Sequence, residues 1–461
     1  MSSSAGLDSG KTQYIFKSGF VMPLWGLMVW IILMNSSMFN IALPEIISDL
    51  EITPATASWI ATGYSVVLAI STLTYSRLSD FIPIRYLILV GMSFFGIASI
   101  IGFLSDNFGF LLLARVMQGA GAGASQGLGL VLVARYIPVY SRGRYMSWLS
   151  AGASMAFGMG PVIGGMLTHF FGWNYLFLIS GLVLLVFPAI FRLLPIEPTK
   201  KGKFDIWGGV LLASGTTGLL LSLTTLSYEY LVVSVISYGL CWRHLHRVEL
   251  PFIHPELLRN GRCLMIVYMG FSNFATHFSA LFCLPILLST IFKKESAEIG
   301  LLIFPGAMTA GFAAIFIVGR LIDRFGPRPV MITAHILLLS STIMFSLLSG
   351  ESPYYNMMAY LFMSLGFFSL TPSLGNELTR ILPRSQVASG LGMLQLAQFF
   401  GSAFGVSVVG ILITMQQNIP PKVAYHNIFL VIAGFVLVSG SILFLYLFLK
   451  IKRSELASEA K

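Results

Sequence analysis

Gly158-Met-Gly-Pro-Val-Ile-Gly-Gly165 lies inside an apolar run from about Tyr145 to Leu167. An interior Gly costs a helix about 1 kcal/mol against Ala, and an interior Pro about 3. Four glycines and a proline in eight residues are therefore foreign to a water-soluble core helix. A helix in lipid uses them. Glycine lets two backbones approach, and neighbouring helices re-satisfy the groups that proline frees. Gly152, Ala156, Gly160 and Gly164 recur every four residues and make one smooth face for a close helix partner.

The composition extends this reading to the whole chain. Its 461 residues are 56% hydrophobic and 10% charged, with mean hydropathy +0.84. Soluble domains carry about 25% charged residues, so most of this chain belongs in lipid. The net charge of +10 would suggest a nucleic-acid partner in a soluble protein. Here the charges fall between apolar runs, and no nucleic-acid partner is expected. Cys241, Cys263 and Cys283 are odd in number and lack metal-ligand spacing. They read as free thiols, and no metal or cofactor is expected. The first apolar run exceeds a signal-peptide core, so it reads as a spanning anchor.

Crossing about 30 Å of hydrocarbon takes about 20 helical residues. Runs of that kind fall near 20–43, 57–77, 85–104, 109–134, 145–167, 172–194, 206–227, 229–245, 263–286, 298–318, 329–348, 353–373, 388–414 and 425–449. The expectation is an all-α polytopic membrane protein with fourteen transmembrane helices. Lys and Arg set the orientation. Alternate gaps hold nearly all of them, with Lys293, Lys294 and Lys422 as the exceptions. The basic gaps and both termini are therefore expected to be cytoplasmic.

The loop after the second run, Ser76-Arg-Leu-Ser-Asp80-Phe-Ile-Pro-Ile-Arg85, repeats after the tenth as Gly319-Arg-Leu-Ile-Asp323-Arg-Phe-Gly-Pro-Arg328. A repeat eight runs apart implies two six-helix halves with two helices inserted between them. The expected divisions are a tail at 1–19, a first half at 20–195, a linker with two inserted helices at 196–262, a second half at 263–449 and a tail at 450–461. Parallel repeats around a central site are a transporter architecture.

These residues resemble the major facilitator superfamily over essentially the whole chain. The repeated loop resembles its signature between helices two and three. Arg115-Val-Met-Gln118-Gly119-Ala-Gly121 resembles the helix-four signature, and Gly160-Pro161-Val-Ile-Gly164-Gly165 the antiporter signature of helix five. Fourteen helices and the start Asn35-Ser-Ser-Met-Phe-Asn40-Ile-Ala-Leu-Pro44 resemble the drug:proton antiporter branch. Ala134-Arg-Tyr-Ile-Pro138, Phe204-Asp205-Ile and Ile303-Phe-Pro-Gly306 resemble Gram-positive tetracycline exporters of that branch. The resemblance implies a cell-membrane exporter of an amphipathic small molecule, working by alternating access in exchange for protons, and a monomer is expected. It is not an enzyme on this reading. The branch usually has Asp where this chain has Asn35. The tetracycline exporters carry Glu at positions matching Ser36, Phe157 and Ser402. Export of an endogenous metabolite, lipid or siderophore, a weakly coupled facilitator, and a non-transporting membrane sensor stay open as alternatives.

Arg115 is the one charge lying firmly inside an apolar run and away from its ends. A charge at mid-bilayer costs at least about 2.5–3.5 kcal/mol, so it is expected to face the central cavity and to be partnered. A permanent cation cannot carry the titrating proton. Gln118, one turn on, is expected beside it. Asn35, Ser36 and Asn40 in the first run, and Asn273 and His277 in the ninth, are further candidates for the substrate and coupling cavity. Histidine titrates near physiological pH, which makes His277 or His335 a candidate proton carrier; a packing role is the competing reading. Asp80 with Arg85, and Asp323 with Arg320, Arg324 and Arg328, are expected to form ion pairs that gate the cytoplasmic side. Glu377 is the nearest thing to an embedded acid in the second half, but the favoured reading is a solvated helix end paired with Arg380 or Arg384. Trp148, Phe157, Phe274, Phe278, Phe399 and Phe404 are candidates for an adaptable apolar cavity lining.

Overall fold

A computed structural model describes residues 18–459 apart from 53, 196, 198–204, 226, 249–250, 252–254, 295 and 417; the side chains of 18, 40, 41, 44, 54, 55, 58, 62, 220, 223–225, 296, 297, 414 and 449–459 are not described. Long helices occupy every run named above. They are α1 (Ser18–Asp49), α2 (Pro54–Leu78), α3 (Ile84–Phe103), α4 (Phe108–Tyr136), α5 (Arg142–Phe171) and α6 (Tyr175–Leu193). Next come α7 (Ile206–Thr225), α8 (Tyr228–Leu245) and α9 (Gly261–Phe292). In α10, Ser296–Ala313 passes through a π-helical turn at Ala314–Val318 into Gly319–Phe325. The last four are α11 (Pro327–Leu348), α12 (Pro353–Ile381), α13 (Val387–Met415) and α14 (Pro421–Glu459). Among the described residues nine helices are long and apolar enough to cross a membrane: α1, α3, α6 and α9–α14. Helices α4 and α5 fall short because small and polar residues replace large apolar ones, and both are enclosed by other helices.

The helices pack as two bundles with the same plan. In the first, α1 lies along α5, α2 and α3 along α4, and α6 against α1 and α3. In the second, α9 lies along α13, α10 and α11 along α12, and α14 against α9 and α11. Each bundle has its own apolar core. One runs from Val21 to Leu194, and the other is built mainly from α9–α14. The bundles meet along two seams, α2 with α13 and α5 with α10, which the eight-helix offset exchanges. Helices α7 and α8 form a hairpin, and α7 rests against α2 and α13. His244 Nε2 and Asp205 Oδ1, 2.7 Å apart, join the hairpin's two helices at one end.

The glycines of α5 explain its place between the bundles. A methyl at Gly152 or Gly160 would strike Gly26 or Ser37 of α1, and one at Gly164 would come within 2.8 Å of the Met38 Cα. That approach lets Ser37 Oγ donate to Ala156 O at 3.1 Å. On the other face a methyl at Gly158 would lie 2.8 Å from the Ala307 Cβ of α10. Ser154 Oγ donates across the same seam to Ala307 O at 2.5 Å. Pro161 is accommodated inside the helix, and Gly165 is partly exposed.

Candidate functional site

The polar centre of the first bundle is built around Arg115. Its Nη1 donates to Asn35 Oδ1 at 2.5 Å and to Gln118 Oε1 at 3.0 Å, and its Nε to Ile60 O at 3.3 Å. The guanidinium lies 4.2 Å from the ring centroids of both Phe39 and Tyr64. Cation–π contacts of this kind, shielded from water, are worth about 2 kcal/mol. Gln118 Nε2 donates to Ser99 Oγ at 3.0 Å, and Asn35 Nδ2 donates to Ser180 Oγ. The cluster thus draws on α1, α2, α3, α4 and α6. Arg115 is 1% exposed, and Asn35, Gln118 and Ser180 are fully buried.

The cavity-facing role expected for Arg115 and Gln118 is corrected in one respect: the guanidinium is sealed within the first bundle. Its partnering is as expected, but the partners are neutral amides, a carbonyl and two rings. Ser99, Ser180, Phe39 and Tyr64 were not among the sequence candidates, since nothing local marks them. Ser36 lies on α1, half-buried, beside this cluster in sequence. The Asn40 side chain lies outside the described residues.

Aromatic side chains fill the place where the bundles meet. Phe157 of α5 contacts Phe278 of α9 edge-on, with centroids 5.4 Å apart. Phe274 stacks on Phe278 at 5.8 Å and meets Phe367 of α12 at 4.9 Å and Phe399 of α13 at 6.2 Å. Phe404 lies elsewhere, against Phe271 and Phe435. Asn273 does not bond to His277. Its Nδ2 donates to Thr371 Oγ1 at 3.1 Å and to Phe367 O at 3.3 Å. His277 stacks on Phe367 with centroids 4.0 Å apart. His335 is a hydrogen-bonded packing residue: Nδ1 donates to Met331 O at 2.8 Å, and Nε2 accepts from Ser439 Oγ at 2.9 Å.

The two repeated turns behave differently, which corrects the expected gate pairs. Asp80 pairs with Arg77 of its own turn at 2.5 Å and not with Arg85. Arg85 instead lies over the Phe191 ring at 4.1 Å. Asp323 forms no ion pair with Arg320, Arg324 or Arg328 among the described residues. Its two oxygens accept from the backbone N–H groups of Gly143 (2.7 Å) and Arg144 (3.1 Å), at the start of α5. A carboxylate there satisfies orphan amides and faces the positive end of the helix dipole. Arg320 and Arg324 are exposed.

Arg328 pairs with Glu377 at 2.7 Å, and Tyr446 donates to the same carboxylate at 2.5 Å. Glu377 is therefore buried and is not paired with Arg380 or Arg384; Arg380 Nε donates to Asn376 Oδ1 at 2.9 Å. A cleft of about 860 Å³ opens beside Arg328, Glu377, Arg380 and Arg262. Across the seam, Arg142 caps the end of α4 through Ile137 O and Ala134 O. Burial, with Arg384 and Arg380 nearby, holds the Arg142 guanidinium below its ordinary range.

Two repeated bundles, joined by the Asp323 cap and an aromatic seam, have the architecture of a membrane transporter. The chain matches the Major Facilitator Superfamily over residues 25–310 and again over 263–461. It belongs to that superfamily and is a multi-pass membrane protein. Relatives include the riboflavin transporter RibZ of Clostridioides difficile, 26% identical over 84% of this chain and 87% of that protein. The lincomycin resistance protein LmrB of Listeria monocytogenes is 24% identical over 84% of each. Among solved structures, the human organic anion transporter MFSD10 (TETRAN) superposes with a TM-score of 0.66. That match is 16% identical and covers 92% of this chain and 99% of that one, a likeness of fold.

Proposed function

We propose that this chain exports an amphipathic small molecule, of the drug or tetracycline type, across the cell membrane by alternating access in exchange for protons. The observation that carries the reading is the aromatic seam. Phe157, Phe274, Phe278, Phe367 and Phe399 come from helices of both bundles and gather at their meeting place. Adaptable apolar surfaces suit cargo of varied shape. Asp323 supplies a two-state element. While it caps α5 the bundles are held together at the basic end, and releasing Gly143 and Arg144 frees them to part.

In this reading all fourteen helices span the membrane and both termini are cytoplasmic. The units 20–195 and 263–449 rock about the cargo as a monomer, with the inserted pair in 196–262 beside them. The Gly160-Pro161…Gly164-Gly165 segment keeps α5 close to α1 while its other face slides on α10. Arg115, Asn35 and Gln118 brace the first unit. A second reading, export of an endogenous metabolite, is favoured by neutral Asn35, Ser36, Phe157 and Ser402 where drug exporters carry acids. The riboflavin transporter among the relatives supports it as well.

The test is transport in proteoliposomes with an imposed ΔpH, over tetracycline, lincomycin, riboflavin and a panel of cationic, neutral and anionic compounds. Flux of at least one compound should rise with ΔpH; flux indifferent to its collapse sinks proton exchange. Cysteines placed at Glu351 and Lys201 should be labelled from outside and from inside only, respectively. The reverse result sinks the topology.

A further inference from the structure

The second bundle contains a polar cluster short of partners, at the place where the first bundle has its satisfied centre. Helices α4 and α12 are each 29 residues long, and Arg115 and Tyr360 are both the eighth residue. The second bundle thus carries a phenol at the position of the guanidinium. His277 of α9 faces it, with ring centroids 5.9 Å apart. Neither ring nitrogen of His277 has a hydrogen-bond partner. The hydroxyls of Tyr360 and Ser364, one turn apart, have no partner beyond each other, and Thr276 Oγ1 and Ser279 Oγ are unpartnered. His277, Tyr360 and Ser364 are fully buried. Each such orphan costs about 1–3 kcal/mol. A cluster of them is expensive unless another conformation or a ligand uses it.

The walls of the cluster point to that use. His277 stacks on Phe367 and touches Phe278 and Phe368 edge-on. Phe278 is the residue that Phe157 of the first bundle covers. Parting the bundles at α5 therefore strips the outer cover from the cage around His277. Tyr360 is the titratable group facing it from α12. By sequence, α13 has none from Val387 to Met415, α14 none from Ile428 to Leu445, α10 none from Ile299 to Gly319, and α5 none from Leu149 to Leu167. A cation in the closed cage would have no counter-charge, so charging belongs to the arrangement that water reaches.

We propose that His277 is the proton-binding residue of the exchange, with Tyr360 and Ser364 positioning the water that delivers the proton. This rests on the proton-coupled reading given above. A hydronium ion gives its proton to the free nitrogen of neutral imidazole, leaving water and imidazolium. Release on the other side of the membrane returns the proton to water. The cage then closes over neutral imidazole. Phe157 acts as the shutter, and the proton and the apolar cargo compete for one seam.

The first experiment needs no cargo. Full-length protein labelled with 15N-histidine is titrated in lipid nanodiscs. The His277 signal is assigned by its loss in His277→Gln, or in His277→Phe, which refills the cage, if Gln does not fold. The expected signal changes from imidazole to imidazolium with a midpoint between about pH 5 and 8. A signal still neutral at about pH 5 overturns the proposal. Tyr360→Phe should move the midpoint, and an unmoved midpoint removes Tyr360 from the site.

The second experiment uses proteoliposomes with tetracycline, lincomycin and riboflavin as probes. His277→Gln should lose ΔpH-driven flux about tenfold more than it loses counterflow. Wild-type coupling retained in His277→Gln overturns the proposal and leaves proton exchange standing. Absence of a ΔpH effect in the wild type overturns proton exchange itself, and the titration then decides whether His277 binds a proton.

Discussion

The two bundles share a plan and differ at their centres. In the first, a buried guanidinium is satisfied by two amides, a carbonyl and two rings. In the second, the matching helix position holds Tyr360, and His277, Thr276 and Ser279 near it have side-chain polar atoms without partners. A satisfied buried network rigidifies the core around it, whereas an unsatisfied one has polar groups to spare for another state. The first bundle is thus built as a fixed body and the second as the responsive one. The turns repeat the contrast with the roles assigned the same way. Asp80 pairs inside its own turn, while Asp323 reaches across to the other bundle.

The largest test of this contrast is Arg115→Ala. It leaves Asn35 and Gln118 short of a donor and a gap between Phe39 and Tyr64. We expect a loss of about 3–5 kcal/mol and no transport, read by thermal unfolding in detergent and by flux. A variant that is stable and active would show that the first centre fixes nothing.

The shared packing should respond alike in both bundles. Gly160 and Gly405 are each the nineteenth residue of α5 and α13. A methyl at Gly405 would meet Ala275 and Ser279, as one at Gly160 meets Ser37. Each Ala variant should cost about 1–3 kcal/mol. Clearly unequal melting shifts would break the equivalence.

Asp323→Ala removes a helix cap worth about 1 kcal/mol, so the closed-to-open ratio should fall about fivefold. Labelling of a cysteine at Ser147 from the basic end reports this. Asp80→Ala should leave labelling within about twofold, and equal effects would erase the difference between the turns. The smallest effect is expected from Tyr360→Phe. Deleting a hydroxyl with no partner beyond Ser364 should change stability by no more than about 1 kcal/mol. A loss above that would mean the hydroxyl is satisfied.

What the sequence disclosed depended on range. The glycine face of α5 and the duplicated turns are local, periodic signals. The structure sets Gly152, Gly160 and Gly164 against α1 as their spacing suggests. Arg115 stood out because charge is rare in an apolar run, and Gln118 beside it follows from helical spacing. Its other side-chain bond is to Asn35, and Ser99 and Ser180 join the cluster through Gln118 and Asn35; these residues are far apart in the chain and joined by tertiary packing. The Asp323 contact was illegible for a different reason. Its partners are backbone amides of residues 143 and 144, which any side chain would supply. Glu377 was misread as solvated because Tyr446 and Arg328 reach it from other helices.

The α7–α8 hairpin has a mechanical consequence. It adds buried surface beside the α2–α13 seam, and the described residues put nothing comparable over the α5–α10 seam. Like a book taped along one edge, the two covers separate more cheaply on the untaped side. Cargo leaving between them would exit past α5 and α10, into the lipid or water on that flank. A bulky modification of α7 would then stiffen the spine without blocking the page edge.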